Sequence, residues 1–104
     1  RKALAAAPGL LEARIGTAMV QGSRSADGLK AATAQLEVLT SEHPSSQVAW
    51  FNRGWIDAYA KDAAGSIAAW QKVVDLGPRT ALGQTASGLL TRIARARKKA
   101  GGKG

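Results

Sequence analysis

Three prolines, Pro8, Pro44 and Pro78, divide this 104-residue chain at intervals of 36 and 34 residues. Proline lacks an amide donor and clashes with the preceding turn, so it cannot sit inside a helix without breaking it. Each one follows a helix-forming stretch: Lys2-Ala3-Leu4, Leu36-Glu37-Val38-Leu39 and Lys72-Val73-Val74-Asp75-Leu76. The chain is thereby restricted to short elements recurring with one period. Gly54 and Gly88 mark the same 34-residue interval. A fixed period of this size is the signature of stacked supersecondary units.

The units read as helical. Alanine is abundant, aromatics make up only 5% of residues, and Ala, Leu, Gln, Lys and Arg all favour helix. Between Pro44 and Pro78 the pattern predicts one helix from about Gln47 to Ala60. A second begins near Asp62 or Ala63, with apolar residues at Ile67, Trp70, Val73 and Val74. Before Pro44 a similar pair covers roughly Gly9 to Gln21 and Asp27 to Ser41, the latter with Leu29, Ala32, Leu36 and Leu39 on one face. The turn Gly22-Ser23-Arg24-Ser25 separates them. After Pro78 a last helix is expected over Thr80 to Lys99, with Leu82, Ala86, Leu89 and Ile93 in one stripe.

Residues 47–80 resemble a tetratricopeptide repeat, whose 34-residue pattern is W-x2-L-G-x2-Y, then A-x3-F, then P. Trp50 and Gly54 match, Trp70 fills the large aromatic slot and Pro78 closes the unit. Arg53 replaces the leucine, Asp57 the tyrosine and Ser66 the small alanine. The preceding unit matches through Ala32, Leu36 and Pro44, with a turn about two residues longer. The resemblance implies an all-α, TPR-like superhelix of antiparallel helix hairpins. Its expected divisions are the end of a preceding repeat helix (1–8), a first repeat (9–46), a second (47–80), a capping helix (81–99) and a flexible tail (100–104). A chain opening in mid-helix is expected to be a piece of a longer protein. Two repeats fall near the number needed for stability, so self-association is also expected.

Composition narrows the chemistry. The chain has no cysteine and one histidine, which removes thiol catalysis, cysteine-ligated metals and any multi-histidine site within it. His43 lies in Ser41-Glu42-His43-Pro44, but adjacent residues at a helix exit do not converge on a reacting atom as a triad must. No phosphate-cradling glycine motif or nucleophile elbow is present. The expectation is a non-enzyme with no cofactor and no metal. No apolar run approaches the ~18–20 residues that span a bilayer, which predicts a soluble module, free or tethered by an upstream segment.

Charge is concentrated at one end. Residues 1–77 carry eight Lys/Arg against seven Asp/Glu, whereas from Pro78 onward there are seven cations and no acid. Arg92, Arg95, Arg97, Lys98 and Lys99 form a basic patch on the last helix. Cations near a helix C-terminus are favoured by the macrodipole, so a solubilising role accounts for them. An anionic partner, whether nucleic acid, membrane surface or an acidic protein segment, is the functional alternative.

The resemblance also implies where a partner would bind. In the family the first helix of each repeat lines a concave groove. Phe51, Asn52, Trp55 and Tyr59 share one face of that helix, with Glu12, Ile15 and Met19 as upstream contributors; the alternative for Trp55 is packing under the terminal helix or in a self-association contact. Trp50 and Trp70 are expected in the core. Asn52 resembles the asparagine with which family members hold a ligand backbone. A carboxylate clamp is not expected, because residues 81–87 carry no Lys or Arg. The expected function is a scaffold holding a peptide or partner helix in that groove.

Overall fold

A short polar side chain sets the start of four of the five helices. In a computed structural model of the chain, which describes residues 8–103, these are α1 (Pro8–Gly22), α2 (Ala26–Glu42), α3 (Gln47–Tyr59), α4 (Ala63–Leu76) and α5 (Ala81–Lys103). Ser25 Oγ accepts from the Gly28 amide at 2.9 Å and Ser46 Oγ from that of Ala49 at 3.1 Å. Asp62 Oδ1 accepts from Gly65, and Thr80 Oγ1 from Gly83, each at 2.9 Å. Each bond satisfies one of the first-turn amides that have no intrahelical partner, worth about 1 kcal/mol.

Two boundaries differ from the sequence reading. Pro8 opens α1 rather than closing an earlier helix. Its fixed φ and missing N–H suit the first helical position. The partial helix expected before it lies outside the described residues. At the other end α5 runs on to Lys103, through the stretch expected to be a tail. Gly101 and Gly102 cost about 1 kcal/mol each relative to alanine in a helix, but neither residue forbids helical backbone.

The described residues are all helical, with linkers of three, four, three and four residues. Such short connections fold consecutive helices back on one another as antiparallel neighbours. Each helix packs on the next, and α1 also touches α3 as α3 touches α5. So α3 stands to α1 and α2 as α5 stands to α3 and α4. The Cα envelope measures 57 × 35 × 17 Å. Its thickness is that of two packed helices, given axes 8–10 Å apart.

Two apolar clusters result. The first joins Ile15, Ala18, Ala32, Leu36, Leu39, Ala49 and Ile56 from α1, α2 and α3. The second is centred on Trp70, Val73 and Ala86, with Phe51, Trp55, Leu82, Leu89 and Ile93 packed against it. Fully burying a Leu, Ile or Val side chain contributes about 1.5–3 kcal/mol, so these two clusters carry the fold.

Helices α3 and α4 approach closely at Gly54, where an added Cβ would overlap the Trp70 indole. Trp70 is 3% exposed and its Nε1 donates to the Phe51 carbonyl at 3.1 Å. Farther along, Gln47 ties the N-terminus of α3 to the end of α4. Its Nε2 donates to the Val73 and Gly77 carbonyls at 2.9 and 3.0 Å, and its Oε1 accepts from Thr80 at 3.1 Å.

The two departures from the repeat pattern at positions 53 and 57 are coupled. Arg53 Nη1 donates to Thr40 Oγ1 at 2.9 Å, and its Nε lies 3.9 Å from Asp57 Oδ2. Thr40 Oγ1 in turn donates to the Leu36 carbonyl at 2.9 Å. A polar bridge thus joins α2 to α3. Gly65 leaves room for it, since a Cβ there would lie 2.7 Å from Asp57 Oδ2.

Candidate partner-binding site

Four-residue spacing puts Phe51, Trp55 and Tyr59 in a row along α3. Phe51 and Trp55 meet edge to face with centroids 6.4 Å apart, and Trp55 and Tyr59 lie 6.3 Å apart at a 34° tilt. Trp55 also meets Trp70 edge-on at 5.0 Å. Phe51 and Trp55 are half-buried against the second cluster, whereas Tyr59 is 52% exposed. Asn52 is partly buried, and its Nδ2 donates to the Val48 carbonyl one turn back at 2.9 Å. The row is continuous, but its exposure rises toward Tyr59.

A cleft of about 480 Å³ opens beside Trp55, where the N-terminal half of α4 faces the C-terminal half of α5. Trp55, Ile67, Trp70, Leu89 and Ile93 form its apolar walls. Lys61 and Arg92 are its only charged members, both exposed, and it contains no acid. Ser66 lies on the α4 wall. It is 2% exposed, and its Oγ is the one fully buried side-chain polar atom among the described residues without a hydrogen-bond partner.

One hairpin earlier, a second depression of about 440 Å³ is lined by Gly22, Ala26, Leu29 and Tyr59, with Arg24 at its edge. Tyr59 stands 34 residues before Ile93, so each depression has a residue of this period in its lining. Arg24 and Lys61 occupy the corresponding turns. Lys61 holds a left-handed backbone with φ 64°, a conformation that suits glycine better than lysine.

Other expected site residues fall elsewhere. Ile15 is a core residue at 3% exposure and Met19 packs beside it, while Glu12 is exposed. An upstream groove built on Ile15 is therefore not present, because that side chain fills the space between α1 and its neighbours. Trp70 is in the core as expected, and Trp50, half-buried, packs against the same cluster. Its Nε1 donates to the Pro44 carbonyl at 2.8 Å, and Arg53 and Lys72 cover its ring at 5.3 and 5.9 Å. The rest of the indole packs against the second apolar cluster, so the cations seal only its outer edge.

Arg92, Arg95, Arg97, Lys98 and Lys99 are all exposed on α5. Among the described residues, none of them lies in an ion pair; the two pairs present are Arg14–Glu42 and Arg53–Asp57. Asp57 is 5% exposed, and burial pushes its carboxyl above the ordinary range. Arg53 opposes that shift, while Asp62 and Glu37 add to it. No group of three or more His, Cys, Asp or Glu able to hold a metal occurs among the described residues. None of the described helices is long and apolar enough to cross a membrane.

Sequence reasoning placed Trp55 at a binding face but missed Lys61, Ser66, Ile67, Leu89 and Ile93 as its companions. Period counting had put Ile67 and Trp70 on one stripe and Leu89 and Ile93 on another. That those stripes separate toward one end is a property of the packing and has no signature within either helix. The chain matches no family profile, no curated protein and no solved structure.

Proposed function

We propose that this chain is a tetratricopeptide-like interaction module, a superhelix of antiparallel hairpins that holds a peptide or partner helix against the Trp55 face of α3. The repeat reading is supported by the recurrence of helix neighbours: each odd-numbered helix after the first packs on the two before it. The observation that carries the binding reading is Trp55 itself. It is half-buried beside Trp70 at the mouth of an apolar cleft of about 480 Å³. A rigid aromatic at the edge of a preformed apolar cleft is the kind of anchor that dominates binding energy at protein interfaces. Phe51 and Asn52 support the row, and Trp55 and Tyr59 make the contacts.

The test is capture from a nuclease-treated lysate with three baits. These are the intact chain, a Trp55→Ala/Tyr59→Ala variant, and an Arg95→Glu/Lys98→Glu/Lys99→Glu variant. A defined protein lost only with the aromatic variant supports the groove. A partner indifferent to that variant refutes it.

A second reading, binding of a polyanion such as nucleic acid or an anionic membrane surface, is favoured by the five exposed, unpaired cations of α5. It requires retention on heparin that weakens steeply with salt and disappears in the triple charge reversal.

A further inference from the structure

Resting on that interaction reading, we infer that the α4–α5 cleft takes an acidic amphipathic helix of a partner protein, its apolar side chains entering between Trp55, Ile67, Leu89 and Ile93. The dimensions fit two side chains one turn apart. The cleft runs along α4 from Ala63 to Trp70, about 10 Å at 1.5 Å per residue, or two helical turns. Residues at i and i+4 of a docking helix span one such turn, the usual anchor spacing of helix-in-groove recognition.

Charge sets the class of occupant. Lys61 and Arg92 are the only charged residues in the lining, one from the α3–α4 turn and one from α5. One and two turns farther along α5, Arg95 and Lys99 follow Arg92 on nearly the same face, with no acid anywhere after Asp75. A helix lying in the cleft meets two cations and no acid, which favours Glu or Asp beside its apolar anchors and penalises Lys or Arg. A neutral or basic occupant gains nothing from Lys61 and Arg92.

The experiment uses three designed helical peptides of about four turns. All carry leucines at i and i+4, flanked by Glu, by Gln or by Lys. The intact chain is titrated with each while its three tryptophan indole resonances are followed by NMR. Trp55 and Trp70 line the cleft and report on it, while Trp50, bonded to Pro44 outside it, serves as the internal control.

The expected result is movement of the Trp55 and Trp70 signals but not Trp50. The Glu peptide should bind roughly five- to tenfold more tightly than the Gln peptide at low salt, and the Lys peptide most weakly. Lys61→Glu/Arg92→Glu should invert that order, and Ile67→Glu should abolish binding in a chain that keeps its helical circular dichroism. Equal binding of all three peptides at Trp55, or preference for the Lys peptide, overturns the acidic class while leaving the interaction reading in place. If no peptide moves Trp55, both fall. If phosphatidylserine vesicles move Trp55 and the Glu peptide does not, the cleft is directed to a lipid surface and the inference is overturned.

Discussion

Gly54 and Gly88 are 34 residues apart on α3 and α5, yet the same substitution should act on them in opposite directions. At Gly54 a new methyl group would overlap the Trp70 indole, which is 3% exposed and held by its bond to the Phe51 carbonyl. Neither ring nor backbone can yield without parting α3 from α4. Overpacking of this kind costs about 1–3 kcal/mol, and the better helix propensity of alanine returns about 1 kcal/mol. Gly54→Ala is therefore expected to lose about 1–2 kcal/mol, the intrusion being at the severe end. At Gly88 an added Cβ meets nothing within 4 Å, so only the propensity gain of about 1 kcal/mol remains. The two variants should differ by about 2–3 kcal/mol, or roughly 8–24 °C in Tm at the ~4–8 °C per kcal/mol of a domain this size. Thermal unfolding followed by far-ultraviolet circular dichroism measures both, with tryptophan fluorescence reporting on Trp70. A Gly54→Ala chain as stable as the parent would refute the close helix approach. A Gly88→Ala chain as damaged as Gly54→Ala would mean that the outer face of α5 is covered by a contact.

Two further outcomes follow from local physics. Because burial raises the Asp57 carboxyl, the native state binds more protons than the unfolded chain from about pH 4 upward to its native value. That carboxyl therefore removes stability as pH rises through this window, and the stability of Asp57→Asn relative to the parent should improve from acid to neutral pH; a difference flat with pH would contradict it. Lys61 sits at φ 64°, which costs a non-glycine residue about 1–2 kcal/mol. After the greater freedom of glycine in the unfolded chain is subtracted, Lys61→Gly should gain about 0.5–1 kcal/mol in denaturant unfolding, and a loss would show that the lysine stem packs usefully.

The helical units were legible because their signals are local. Proline spacing and three- and four-residue apolar periodicity depend only on neighbours along the chain, and they place α2, α3 and α4 to within a residue or so at most of their ends. The burial of Trp70 could be read from its slot in the repeat pattern. Trp50 packs against the second cluster as its slot implies, but its incomplete burial was not legible, because the Arg53 and Lys72 that cover its ring come from two helices and leave no periodic trace. The departures at Arg53 and Asp57 looked in sequence like two independent defects. In space they are partners with Thr40 of α2. The cleft was hidden for a related reason, since it depends on how far α4 and α5 diverge.

Helix α3 contributes to both apolar clusters, giving Val48, Ala49 and Ile56 to the first and Phe51 and Trp55 to the second. A chain with one common wall between two cores behaves as a short series of coupled units. Melting α1 forfeits only the first cluster, and melting α5 only the second, so either end can open while the remainder stays folded. Opening α3 dissolves both at once. The slowest hydrogen exchange should therefore lie in the middle of α3 and grade outward toward both ends, with protection there reporting the global unfolding free energy. A partner seated on Trp55 would grip the element on which the cooperativity of the whole stack depends, slowing every opening that includes α3 or α5 while leaving the local opening of α1 unchanged.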